Sequence, residues 1–265
     1  MTLRNILLNS SSFIFEKSIF YQKELRKDIF EKEYIELRKR EQRVYSDEVV
    51  RNLPEFGEPG TLNKEWGIRK ITLKKLIGHL RKKEGSVILE LGCGNGWLSH
   101  QLASSRNAEV VGLDINETEL LQGASLFKDY QNLSFIYANV FTADFKKETF
   151  DVILLASSIQ YFPDLLKLIQ RLLDLLNPSG EIHIVDSPIY SSLGESLEAK
   201  KRSHGYFVAQ GVPEMANNYF HHTLVELKSF NHQVLFNPNS LISLFKRKIL
   251  RTPQSTFPWI MIKHP

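Results

Sequence analysis

The chain has 265 residues, 42% apolar and 24% charged, with a formal net charge of +4, which suits one α/β domain with an extension and a core that needs no staple. Cys93 is the single cysteine and no Cys/His spacing of a zinc site occurs, so the sequence excludes an intramolecular disulfide and predicts no metal and a reducing, cytoplasmic setting. No apolar run approaches the ~20 residues that span a bilayer, and the basic clusters, such as Lys200–His204, are dispersed where a nucleic-acid binder gathers them on one face.

In chain order, the first residues read as the start of a helix. Phe13, Phe20, Ile29, Phe30, Tyr34 and Leu37 recur at helical spacing through residue 45. One or two helices are expected there, either capping the core or pairing two chains into a homodimer. Residues 52–62, with Pro54, Gly57, Pro59 and Gly60, form a loop and a boundary. Residues 1–60 are therefore expected as a helical extension, and residues 61–265 as the main domain with a lid-like insertion around 190–230. Helical spacing resumes over Trp66–Arg81. Strand-like runs then alternate with helices: strands at 86–91, 109–114, 133–138, 150–156 and 181–186, and helices at 95–105, 117–130 and 163–176, with Pro163 in the first turn of the last. Such alternation predicts a mostly parallel sheet covered on both faces. Farther on, a helix over 191–210, an aromatic-rich irregular stretch over 211–220, a T-x-x-E capping box at Thr223 and Glu226, strands at 232–236 and 258–263 and a helix at 240–248 are expected.

The chain is organised around Val87–Asn116. A short apolar strand runs into Glu90, and Gly92, Gly94 and Gly96 follow in G-x-G-x-G spacing. A helix and a second strand ending in Asp114 complete a βαβ unit with a nucleotide-type site at its carboxyl end. A dinucleotide fingerprint wants a third glycine where Trp97 stands. A phosphate loop wants Lys and Ser/Thr after its last glycine, where Trp97 and Leu98 stand.

The run Glu90–Gly96 resembles the first motif of class I S-adenosylmethionine-dependent methyltransferases. That resemblance covers roughly 85–188 and, more loosely, the remainder. It implies a doubly wound, Rossmann-like, seven-stranded and mostly parallel sheet whose last strand is antiparallel. It also implies S-adenosylmethionine as the bound cofactor and S-adenosylhomocysteine as its product. Carried over residue by residue, Glu90 sits beside the cofactor's ammonium and sulfonium, Gly92 and Gly94 let the backbone approach its methionine end and ribose, Asp114 accepts the ribose hydroxyls, and Cys93, Gly96 and Ile115 complete the cofactor site. Asn139, in place of the family's usual Asp, and Val140 face the adenine; Ala156 and Ser157, after the strand resembling the fourth motif, border the transferable methyl.

No signature names the methyl acceptor. Ser157-Ser158-Ile159-Gln160 replaces the N/D-P-P-Y/F of DNA and protein-glutamine methylators, and no Pro-Cys pair for cytosine C5 exists. Candidate catalytic groups are Gln160, Tyr161, Tyr206, His221 and His222; candidate acceptor-binding groups are Tyr45, Trp66, Arg69 and His204. The leading expectation is methyl transfer to the oxygen, nitrogen or carbon of a small or medium-sized metabolite. An RNA or tRNA methyltransferase, favoured by the isoelectric point near 9.0, and a non-catalytic S-adenosylmethionine-binding protein remain as alternatives.

Overall fold

The computed structural model describes residues 10–25, 29–57, 60–81, 83, 85–105, 107–249 and 253–265. The opening of the expected amino-terminal helix (residues 1–9), Pro59 of the boundary loop and Lys82 lie outside the described residues.

Seven strands make the predicted core. These are β3 (Val87–Leu91), β4 (Glu109–Asp114), β5 (Leu133–Tyr137), β6 (Phe150–Ala156), β7 (Leu176–Val185), β8 (Asn231–Phe236) and β9 (Trp259–Lys263). Among the described residues two earlier strands, β1 (Phe13–Glu16) and β2 (Ile19–Gln22), extend the sheet to nine in the order β1-β2-β5-β4-β3-β6-β7-β9-β8. β9 lies antiparallel between β7 and β8, as expected of the last strand.

The β1–β2 hairpin corrects the reading of residues 13–22 as helix. Two four-residue runs of aromatic and β-branched side chains flank Lys17 and Ser18, both at positive φ (49° and 63°), the geometry of a tight two-residue hairpin turn. Ile19, Phe20 and Tyr21 then pair in parallel with β5. Helix begins only at α1 (Ile29–Arg40), followed by α2 (Asp47–Asn52) and α3 (Thr61–Leu80). The apolar stripe of α1 is used within the chain. Leu37, 3% exposed, packs with Phe207, Val212 and Met215, and Phe30 and Tyr34 lean on the same cluster.

Helices α4 (Trp97–Ser105) and α5 (Glu117–Leu126) cover one face of the sheet together with α3, and α6 (Leu165–Leu175) covers the other. Alternation along buried β3 sends Ile88 to the first core and Leu89 to the second. Pro163 stands before α6 rather than in its first turn. Asp164 is the cap, its carboxylate accepting the Lys167 N–H at 2.9 Å. Residues 177–180, between the expected helix and strand, form a bulge inside β7: Phe150 pairs with Leu176, but Val152 already pairs with Glu181. Helix α7 (Leu193–Ala209) and a 3₁₀ segment at Pro213–Asn218 fill the insertion, and α8 (Leu241–Lys248) precedes the last strand. The capping box forms, with Glu226 accepting the Thr223 N–H at 2.6 Å.

His79, Glu181 and His183 converge between α3 and β7, a cluster that sequence spacing conceals. The Trp259 indole N–H donates to His183 Nδ1 at 3.1 Å, so in the neutral ring the proton sits on Nε2 and is given to Glu181 at 3.3 Å. That proton occupies the nitrogen a metal would need; the cluster is a hydrogen-bond relay tying α3, β7 and β9. Among the described residues no helix is long and apolar enough to cross a membrane.

Candidate active site

The glycine turn sits where the carboxyl ends of β3, β4 and β6 meet. Gly92, Gly94 and Gly96 all have positive φ (77°, 54° and 71°), which glycine adopts without steric penalty. Space demands glycine as well. A Cβ on Gly96 would stand 2.5 Å from the Phe135 ring, and one on Gly92 would collide with Ser158. Gly96→Ala is therefore expected to destabilise the protein by about 2–4 kcal/mol through strain and overpacking. Gly205→Ala, where a Cβ meets nothing within 4 Å in mid-helix, should be neutral or slightly stabilising. Urea unfolding of the two variants checks both.

Asp114 closes the turn. Its Oδ2 accepts the Gly94 N–H at 2.7 Å, and its Oδ1 accepts those of Ile115 (2.7 Å) and Asn116 (2.9 Å). Burial raises its pKa against these hydrogen bonds. Behind the glycines, Glu90 is 2% exposed and accepts the Ser99 hydroxyl at 2.5 Å. Burial pushes its carboxyl up to about 8. Glu119, which sequence reading missed, takes the Asn116 side-chain amide at 3.1 Å, and burial raises it to about 7 despite the nearby Arg38.

Three spaces surround the turn. A cavity of about 560 Å³ runs past Gly92, Asp114, Ile115, Asn139 and Val140 to the aromatic rings of Phe30 and Phe220. The Asn139 side-chain oxygen accepts the Phe141 N–H at 2.9 Å, which leaves that oxygen one further lone pair. A niche of about 90 Å³ lies between Glu90, Cys93 and Glu119 on one side and Tyr45, Trp66 and Arg69 on the other. The Trp66 N–H donates to the Tyr45 hydroxyl at 3.1 Å, and the Arg69 guanidinium lies 5.0 Å from the centroid of the Trp66 ring. A groove of about 640 Å³ opens beyond, lined by Arg38, Arg43, Arg69, Gln160, Tyr161 and Asp186 among others.

Ser157 borders all three spaces. It follows β6 with φ at 56°, a conformation rare outside glycine, and it is pinned there by Val185 O (3.1 Å to its N–H) and Asp186 O (2.9 Å to its hydroxyl). Tyr161 stands between the large cavity and the groove; its hydroxyl accepts from Arg38 at 3.3 Å, and its ring meets those of Tyr34 and Tyr219 edge-on.

Of the expected catalytic candidates, Gln160, Tyr161 and Tyr206 line the groove. Gln160 donates to Ser157 O at 2.6 Å and leaves its buried Oε1 unpartnered. Tyr206 donates to Glu41 at 2.6 Å and is pushed up to about 12 by burial and that carboxylate, so it keeps its proton near neutral pH and offers no phenolate to act as a base. The histidines lie elsewhere. His222 is 3% exposed and bonded through Nε2 to Phe162 O and through Nδ1 to Glu226. His221 bonds Ser203 at 2.9 Å behind the groove wall, and His204 is exposed on α7, away from the groove lining. Tyr45 and Trp66 face the niche rather than the groove; Arg69 faces both.

Two further groove residues escape a reading of the sequence. Asp186, at the end of β7, takes the hydroxyls of Thr72 (3.0 Å) and Ser255 (3.1 Å) on Oδ1 alone, and burial raises its pKa. Arg43 grips Glu65 through both guanidinium nitrogens. Burial opposes the charge on Glu65, but Arg43 and Arg69 hold its carboxyl at about 2.

The sequence profile described as methyltransferase domain matches residues 82–235, more than half of the chain. A sterol 24-C-methyltransferase of Candida albicans is 24% identical over 53% of this chain and 38% of its own. A demethylmenaquinone methyltransferase of Staphylococcus saprophyticus is 28% identical over 41% of this chain and 48% of its own. The matches thus span half or less of these relatives' length. The crystal structure of geranyl diphosphate C-methyltransferase from Streptomyces coelicolor, solved with S-adenosyl-L-homocysteine, superimposes with a TM-score of 0.52 at 13% identity, covering 79% of this chain and 82% of that one.

Proposed function

Because this chain belongs to the methyltransferase-domain family, we propose that it transfers a methyl group from S-adenosylmethionine to a small-molecule acceptor. The observation that carries this reading is the position of Ser157 at the meeting of the large cavity, the acidic niche and the arginine-lined groove. Adenosine fills the large cavity, with a ribose hydroxyl on Asp114 and the adenine between Ile115 and Val140. The amino-acid end enters the niche, its ammonium toward Glu90 and Glu119 and its carboxylate toward Arg69 and Arg43. The sulfonium methyl then points past Ser157 into the groove.

There the acceptor's lone pair attacks the methyl carbon in line with the sulfur. The carbon–sulfur bond breaks with its electron pair going to sulfur, so the cationic donor leaves as a neutral thioether. The chain's contribution is alignment and exclusion of water by Tyr34, Tyr161 and Tyr219. If the attacking atom carries a proton, we assign its uptake to Asp186, whose Oδ2 has no donor among the described residues. Gln160 Oε1 accepts from the acceptor, and Arg38 and Arg202, which also face the groove, favour an acceptor with an acidic group.

Calorimetric titration with S-adenosylmethionine and S-adenosylhomocysteine is expected to show one site per chain with sub-millimolar affinity for both. Folded protein that binds neither would overturn the assignment.

A further inference from the structure

Helix α8 has its apolar side outward. Ser240 caps it, and at 3.6 residues per turn Leu241, Ile242, Phe245 and the following Ile249 share one arc. They are 86%, 69%, 55% and 65% exposed, while Ser243 on the far side is 6% exposed and bonded to Ser240. Scattered exposed apolar residues are ordinary, but four on one face of so short a helix form a patch. The same helix carries Lys246, Arg247 and Lys248 in sequence, so it is cationic as well as apolar and complements an anionic surface. An outward apolar arc on a cationic helix is the pattern of a helix that lies in the headgroup layer of an anionic bilayer.

The groove leads to the same region. Its outer chamber, about 560 Å³, shares Pro188, Arg202, Thr256 and Phe257 with the inner groove. One wall is Gly194 and Glu195 of α7; another is Pro238 and Asn239, just before the cap of α8. Beside the first wall, Leu193 and Leu197 stand 68% and 51% exposed, one turn apart.

We propose that α8, together with Leu193 and Leu197 of α7, docks the protein on the surface of an anionic lipid bilayer with the mouth of the groove toward the headgroups. An acceptor dissolved in that bilayer then enters the groove without crossing water. This consequence rests on the reading of the groove as the acceptor site; the docking itself does not.

The test is co-flotation of the full chain with vesicles of three parts phosphatidylcholine to one part phosphatidylglycerol, beside vesicles of phosphatidylcholine alone. The anionic vesicles should carry the protein, less so at high salt. The double substitution Leu241→Glu and Phe245→Glu should lower the bound fraction roughly tenfold or more while S-adenosylhomocysteine binding stays unchanged. A fluorophore attached at Ile242→Cys, with Cys93 buried, should shift to the blue when anionic vesicles are added, a readout independent of the glutamate variant's folding. Absence of flotation, flotation that the substitutions leave intact, or a fluorophore that does not respond would each overturn the proposal. So would a wild-type dimer in light scattering that the glutamate variant converts to monomer, since a second copy would then cover the patch.

Discussion

Asp114→Ala should weaken binding of S-adenosylhomocysteine roughly 100-fold or more, because a hydrogen bond to a charged group is worth about 1.5–3 kcal/mol and its loss adds to that of the loop's anchors. A carboxylate has about four acceptor sites, and the N–H groups of Gly94, Ile115 and Asn116 fill three of them. The free site is on Oδ2, the oxygen already bonded to the glycine turn. A ribose hydroxyl on Oδ2 is thus held by the same atom that fixes Gly94, and turn and cofactor order each other. Alanine removes the acceptor and leaves three backbone donors without their partner. The substitution Asp114→Asn keeps one carbonyl acceptor and loses the charge, so its effect should fall between, near tenfold. Titration of both variants, with thermal unfolding to register any loss of fold, separates ribose recognition from loop support. Wild-type affinity in a folded Asp114→Ala protein would remove the ribose assignment.

The sequence is most legible where backbone geometry forces the residue. Glycines at 92, 94 and 96 are demanded by positive φ and by the close approach of Ser158 and Phe135. Such constraints are local, so spacing alone reveals them. The buried parallel strands are legible for a similar reason: β4 and β6 run at the predicted bounds because an apolar run flanked by turns has few other places to go. The hairpin at Phe13–Gln22 is misread as helix because aromatic residues seven apart satisfy a helical stripe as well as alternating strands. Only the two-residue gap at Lys17-Ser18 distinguishes the two. The groove is hardest to see. Arg38, Asp186 and Tyr219 come from an extension, a strand end and an irregular segment, and no spacing in the chain records that they meet. The histidines are attractive by residue type, yet His222 is consumed by Phe162 and Glu226, partners that only the folded chain supplies.

Glu90 gives this protein a large pH effect close to neutrality. Its folded carboxyl ionises near 8, against 4.5 ordinarily, because burial disfavours the charge more than Ser99 favours it. A raised acid means that stability present below the unfolded value is lost as pH climbs toward the folded one. Over that interval the unfolded chain gives up the proton and the folded chain keeps it. At about 1.4 kcal/mol for each tenfold step in acidity, the loss from Glu90 reaches up to about 5 kcal/mol by pH 8. Glu90→Gln has no proton to lose and can still accept from Ser99. Urea unfolding should therefore place the variant within about 1 kcal/mol of wild type at pH 5 and some 2–5 kcal/mol above it at pH 8.5. Bound S-adenosylmethionine reverses the preference, because its ammonium and sulfonium stabilise the ionised carboxylates of Glu90 and Glu119. Affinity should rise from pH 6 to pH 8, and calorimetry in buffers of different ionisation enthalpy should register proton release that Glu90→Gln diminishes. A wild-type and a variant protein with the same pH dependence, in stability and in proton release alike, would show that Glu90 is ionised before the cofactor arrives.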